Sequence, residues 1–251
     1  MTALLSVEAV TKRFRGLVAV DEASFAIEPG DIFAVIGPNG AGKTTLFNMI
    51  AGVFAPDDGR ILFAGERIDG RRPDEIAQRG IGRTFQIVRP FPALTVEDNV
   101  IVGALLRADG VDAARQHAYE LLRRLDLYDR RARPAASLTL PDRKRLEVAR
   151  ALATGAELLL LDEVLAGLNP REVATIVPML RALVERGVTI LMIEHVMQAV
   201  MSLAERVFVL AEGRIIAEGP PQAVAGNPRV IESYLGRGAG ATLASAGDAH
   251  A

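Results

Sequence analysis

Short apolar runs bounded by turn residues dominate the first third of the chain. Leu5–Val10, Ser24–Ile27 and Asp31–Ile36 have strand composition, and Ile61–Ala64 follows the turn Pro56-Asp57-Asp58-Gly59. The spacing predicts a strand-rich beginning. From Val96 to about Arg133 the composition shifts to Leu, Ala, Arg and Glu, with Tyr119, Leu122, Leu125 and Leu127 at helical spacing. That stretch reads as an inserted helical subdomain. Glu157–Asp162, with its run of leucines, and Val188–Ile193 read as buried parallel strands, whose two faces are both covered. Helical sequence separates them, giving βαβ units. Arg206–Ile216 has apolar flanks around Ala211-Glu212-Gly213, a hairpin pattern, and beyond Gly236 the Gly, Ala and Ser content predicts a frayed tail at 237–251.

A chain of 251 residues suits one α/β domain carrying a smaller insertion. Half of the residues are hydrophobic. No apolar run approaches the ~18 residues needed to cross a bilayer, and the start lacks a signal-peptide pattern, so a cytoplasmic location is expected. The absence of cysteine excludes disulfides and thiolate metal sites. A formal net charge of −2 disfavours nucleic acid as a partner, since phosphate neutralisation calls for a basic surplus.

The first candidate chemistry lies where Asp31–Ile36 runs into Gly37-Pro38-Asn39-Gly40-Ala41-Gly42-Lys43-Thr44-Thr45 and then the helical residues Leu46–Ala51. Strand, glycine-rich loop and helix follow in the order of the G-x-x-x-x-G-K-[ST] phosphate cradle. Glycines let backbone N–H groups turn inward around phosphate, and a helix N-terminus favours anions. Lys43 is placed to reach the β- and γ-phosphates of ATP, and Thr44 to hold Mg²⁺. Downstream, Leu158–Leu161 ends in Asp162-Glu163. Asp162 is assigned to Mg²⁺ through its shell and Glu163 to the attacking water. Thr189–Ile193 leads to Glu194-His195, placing a histidine at another strand end as a γ-phosphate contact. Each feature also has a plainer reading: a glycine-rich turn, a strand entering a polar loop, a satisfied polar histidine.

Taken in order, these motifs resemble the ATPases of ABC transporters, and the resemblance runs through Gly236. It implies an α/β P-loop NTPase core with an N-terminal antiparallel β subdomain and an inserted helical subdomain at about 88–150, all within a single domain over 1–236. Thr84-Phe85-Gln86 resembles the Q-loop, which implies that Gln86 meets Mg²⁺ and the attacking water while its segment contacts the membrane partner. Phe14 stands where the family places an aromatic for adenine stacking, and Ala166-Gly167-Leu168-Asn169 occupies the D-loop position, with Asn169 in place of the usual aspartate.

One segment departs from the family. Its Leu-Ser-Gly-Gly-Gln signature, which binds the γ-phosphate of the opposite subunit, aligns with Leu138-Thr139-Leu140-Pro141-Asp142. Thr139 keeps a hydroxyl and is the candidate phosphate contact, but both glycines are replaced and Pro141 has no N–H. The same residues read as an ordinary helix start, with Thr139 as N-cap and Asp142 closing a short capping box. The expectation is that this chain works beside a second, similar ATPase whose signature completes the site on Lys43 and Glu163; a homodimer would carry the alteration in both sites.

Ala166–Pro170, Ile193–Met197 and the ending Ile216–Pro221 with Asn227–Gly236 resemble the LivG-like ATPases of branched-chain amino acid importers, with Val164 and Val196 where that family usually has Pro and Asp. The resemblance implies ATP and Mg²⁺ as cofactors, two membrane permease subunits and an extracytoplasmic solute-binding protein as partners, and a peripheral position on the cytoplasmic face of the inner or plasma membrane. Two alternatives stay open: the motor of a lipid or lipopolysaccharide exporter, and a soluble ABC ATPase without a membrane partner. A switch-type GTPase would need an Asn-Lys-x-Asp segment, which is absent.

Overall fold

The computed structural model describes residues 3–84 and 90–235. Strands β1 (Leu5–Phe14) and β2 (Leu17–Ile27) form a hairpin whose two loop residues, Arg15 and Gly16, both have positive φ. This is the turn conformation whose twist matches paired strands. Both strands are longer than the sequence pattern suggests. Ala9 and Glu22 adopt positive φ, and the β1–β2 register shifts between Val7 and Val10 and again before Lys12. Such bulges break the period-two alternation by which strands are read.

Next come β3 (Ile32–Ile36), α1 (Lys43–Ile50), β4 (Asp58–Phe63), β5 (Glu66–Arg67), α2 (Pro73–Gln78) and β6 (Ile81–Arg83). The helical stretch comprises α3 (Val96–Ala104), α4 (Val111–Arg124) and α5 (Leu140–Ala153), so the expected helical run is broken at 105–110, where Gly110 (φ 104°) precedes α4. There follow β7 (Leu158–Asp162), α6 (Pro170–Val184), β8 (Thr189–Ile193), α7 (Met197–Leu203), β9 (Arg206–Ala211), β10 (Arg214–Gly219), α8 (Pro221–Ala225) and α9 (Pro228–Leu235). The expected tail at 237–251 lies outside the described residues.

β2-β1-β4-β5 form an antiparallel sheet, and the second sheet has the order β10-β9-β3-β8-β7-β6, parallel except for β10 against β9. Its inner strands are apolar throughout because successive residues serve two cores. Ala34, Leu159, Leu161 and Met192 pack toward α3 to α7, whereas Phe33, Val35, Leu160 and Leu191 pack toward α1 and the antiparallel sheet. The fold is the expected α/β core with an antiparallel β subdomain and inserted helices. Ligands in such sheets bind beyond the carboxyl ends of the parallel strands, where β3, β7 and β8 deliver Gly37, Glu163 and Glu194.

Candidate functional site

A cavity of ≈ 640 Å³ opens at these strand ends, lined by Phe14, Leu17, Val18, Ala19, Asn39 to Thr45, Glu163, His195, Glu212 and Gly213. Its floor is the loop from β3 to α1. Gly37 and Gly42 have φ of 150° and 103°, and a Cβ would strike the carbonyl oxygen of Leu210 at the first and of Ala19 at the second. Only glycine fits either place. α1 starts at Lys43 without a side-chain cap, so its first-turn N–H groups are left for an anion. Lys43 Nζ donates to the carbonyls of Gly37 (2.7 Å) and Pro38 (2.9 Å), spanning the loop. Burial pulls the Lys43 ammonium below its usual range, and the nearby Glu163 and Asp162 oppose this.

The end of β7 sends two carboxylates in different directions. Glu163 adopts φ 51°, a strained turn for a residue with a Cβ. Its N–H donates to Ile193 O (2.9 Å), and its carbonyl accepts from the buried Lys144 Nζ (3.0 Å). The carboxylate Oε1 lies 2.9 Å from His195 Nε2 at the cavity wall. Asp162 instead faces a neighbouring cavity of ≈ 740 Å³ that it shares with Thr44 and Arg83. Thr44 lines both cavities and so links the two halves. Burial pushes the Asp162 carboxyl up, with the Arg83 guanidinium opposing. Glu194, buried behind His195, accepts the Leu165 N–H at 2.9 Å, and burial raises its carboxyl to about 7.

The structure thus brings together Phe14, Asn39, Gly40, Ala41, Gly42, Lys43, Thr44, Thr45, Glu163 and His195, with Gly37 and Pro38 beneath them and Asp162 next door. Phe14 ends β1 at the cavity edge, its ring edge-on to Phe54 with centroids 5.2 Å apart. Gln86 lies outside the described residues. Arg83 and Glu194 were given no role by their sequence, and Lys144, in the basic run Arg143-Lys144-Arg145 that reads as a solvated face, is instead buried against the Glu163 carbonyl. Their one advance signal is position: beside a strand end or shortly after the altered signature.

Thr139 lines neither cavity. It caps α5, accepting the Asp142 N–H at 3.4 Å, and Pro141 sits in the first turn. The expected capping box does not close. The Asp142 carboxylate turns instead to the guanidinium groups of Arg130 (3.3 Å) and Arg145 (3.6 Å), away from the N-cap N–H. Leu140 leans over Gly167, where an added Cβ would come within 3.3 Å of Leu140 Cδ2. Asn169 caps α6 in a full capping box with Glu172 (3.0 and 2.8 Å).

Residues 20–166 match the family described as ABC transporter, and residues 214–240 match the branched-chain amino acid ATP-binding cassette transporter family. The chain is 38% identical over 249 residues to the high-affinity branched-chain amino acid transport ATP-binding protein LivG of Escherichia coli K12, covering 93% of this chain and 98% of that protein. A nucleotide-free ATP-binding cassette from an ABC transporter superposes with a TM-score of 0.86 at 31% identity, over 94% of this chain and 100% of the other. A dimeric bacterial ABC transporter cassette gives 0.78 at 25% identity, over 86% and 98%. With a phosphate loop, two carboxylates and a histidine gathered at the ends of one parallel sheet, and with these matches along its length, the chain belongs to the ABC transporter family of ATP-binding subunits.

Proposed function

We propose that this chain is the ATP-hydrolysing motor of an importer for branched-chain or related amino acids. The observation that carries the ATPase reading is the Glu163–His195 contact of 2.9 Å in the cavity that Lys43 also lines. The substrate class is supported by the 38% identity to LivG and by the match at 214–240.

In this reading ATP lies along the loop 37–45 with its adenine beside Phe14. Lys43 leaves the loop carbonyls for the β- and γ-phosphates, and the N–H groups of α1 complete the cradle. Glu163 orients and polarises the attacking water, and His195 holds Glu163 and contacts the γ-phosphate. Thr44 and Asp162 would hold Mg²⁺, with Gln86 as a further contact. Hydroxyl and carboxylate oxygens are the hard donors this ion takes, and no group of three or more acidic, His or Cys side chains forms a cage among the described residues. That donor set fits an ion completed by nucleotide phosphates and water, and when bound it supplies neutralisation of phosphoryl charge.

The motor would act as one domain over 1–236, paired with a second cassette beneath two permeases on the cytoplasmic face of the membrane and served by an extracytoplasmic solute-binding protein. ATP closing the cassettes would turn the permeases. A heterodimer is favoured over a homodimer by α5, where Leu140 and Pro141 stand in place of the signature glycines and Pro141 has no N–H to donate. The test is affinity capture from detergent-solubilised native membranes with ATP present. Two permeases, a second ATPase and a solute-binding protein are expected; recovery of the chain alone or with cytosolic partners would overturn the transporter assignment.

A further inference from the structure

Arg83, the last residue of β6, reaches two other elements. Its Nη1 donates to Asn48 Oδ1 on α1 at 2.6 Å, and its Nη2 lies 3.4 Å from Asp162 Oδ2 at the end of β7. The pair is shielded from water, the side chains being 11% and 3% exposed. β6 runs in parallel register with β7, Arg83 opposite Leu160, and the hydroxyl of the next residue, Thr84, accepts the Asp162 N–H at 3.1 Å. Consecutive residues therefore hold the backbone and the carboxylate of one aspartate.

A buried carboxylate is stabilised by one cation, whereas a second cation on the same group meets the first at short range where charge is weakly screened. We propose that Arg83 is a positioning residue that competes with the divalent cation for Asp162 and so sets how tightly the nucleotide–metal complex is held. This rests on the assignment of Thr44 and Asp162 to the metal. The guanidinium is braced on Asn48, so it cannot yield the carboxylate without shifting between α1, which carries Lys43 and Thr44, and β6, whose end grips Asp162 through Thr84. Metal loading is thereby coupled to the relative position of those two elements.

The test uses Mn²⁺ as the probe, titrated by electron paramagnetic resonance into the full-length chain with saturating ADP, so that no turnover is involved. Fluorescent ADP titrated in EDTA reports nucleotide affinity separately. Arg83→Gln is expected to tighten Mn²⁺ binding about tenfold with ADP affinity in EDTA unchanged within about twofold. Unchanged or weaker Mn²⁺ binding by this variant overturns the competition. Arg83→Lys keeps the charge and covers the case in which the glutamine variant does not fold. It is expected to bind Mn²⁺ at least as tightly as the parent, and weaker binding would show that the guanidinium orients the carboxylate for the metal, which also overturns the proposal. Asp162→Asn separates the two layers: if it and the parent bind Mn²⁺·ADP alike, the metal assignment fails and this inference with it.

Discussion

Glu194 offers a test in which the structure sets both sign and size. It is 1% exposed at the end of β8, and burial raises its carboxyl from 4.5 to about 7, against the backbone N–H groups of Leu165 and His195 and the charge of Lys144. The folded protein therefore holds this proton more tightly than the unfolded chain. The stability so contributed is complete below about pH 4.5 and is lost as the pH rises through about 7. At roughly 1.4 kcal/mol per pH unit, that interval is worth on the order of 3 kcal/mol. Glu194→Gln keeps an oxygen for the Leu165 N–H and removes the ionisation. Calorimetric unfolding of parent and variant at pH 5, 6, 7 and 8 is the assay, and the difference at each pH cancels the other titrating groups. The variant is expected to match the parent near pH 5 and to melt ~6 °C higher at pH 8 for a domain of this size. An offset that is the same at every pH, or a variant less stable at pH 8, would show that Glu194 does not hold a proton more tightly in the folded protein.

Three further outcomes follow from the site. Lys43→Ala removes the charge that spans the loop and should cost on the order of 3 kcal/mol in turnover, with weakened ATP binding; unchanged affinity and rate, measured by isothermal titration and phosphate release, would contradict the cradle. Gly42→Ala places a Cβ against the Ala19 carbonyl at a φ of 103°, so nucleotide binding should be lost while the far-UV spectrum is kept; wild-type ATP affinity would exclude this geometry. The chain alone should hydrolyse ATP far more slowly than its assembled complex, and equal rates would remove the case for an asymmetric pair.

The parts of the site that were legible in the sequence are those whose chemistry demands contiguous residues. The loop 37–45 needs strand, glycines and helix in one order, and β7 needs an apolar run to carry Asp162 and Glu163 to the carboxyl end of the sheet. Long-range contacts carried no such local signal. Arg83 meets Asp162 across a separation of 79 residues, Leu165 meets Glu194 across 29, and Lys144 meets Glu163 across 19. Each reads locally as one more charged residue. The three-residue β6, with Gly82 at its centre, is too short for periodicity, and its conformation comes from pairing with β7. At α5 the cap was legible in Thr139, but the destination of the Asp142 carboxylate depended on Arg130 and Arg145, whose placement is tertiary.

In the proposed function ATP sits on the loop 37–45 and is cleaved through Glu163. The most direct measurement compares Glu163→Gln with the parent in the assembled complex, following bound radiolabelled ATP and released phosphate together. The variant is expected to bind ATP as the parent does and to retain it uncleaved, with phosphate release reduced at least ~100-fold, because the carboxylate orients water without contributing to affinity. Phosphate release at the parent's rate would contradict this expectation and remove Glu163 from the chemistry.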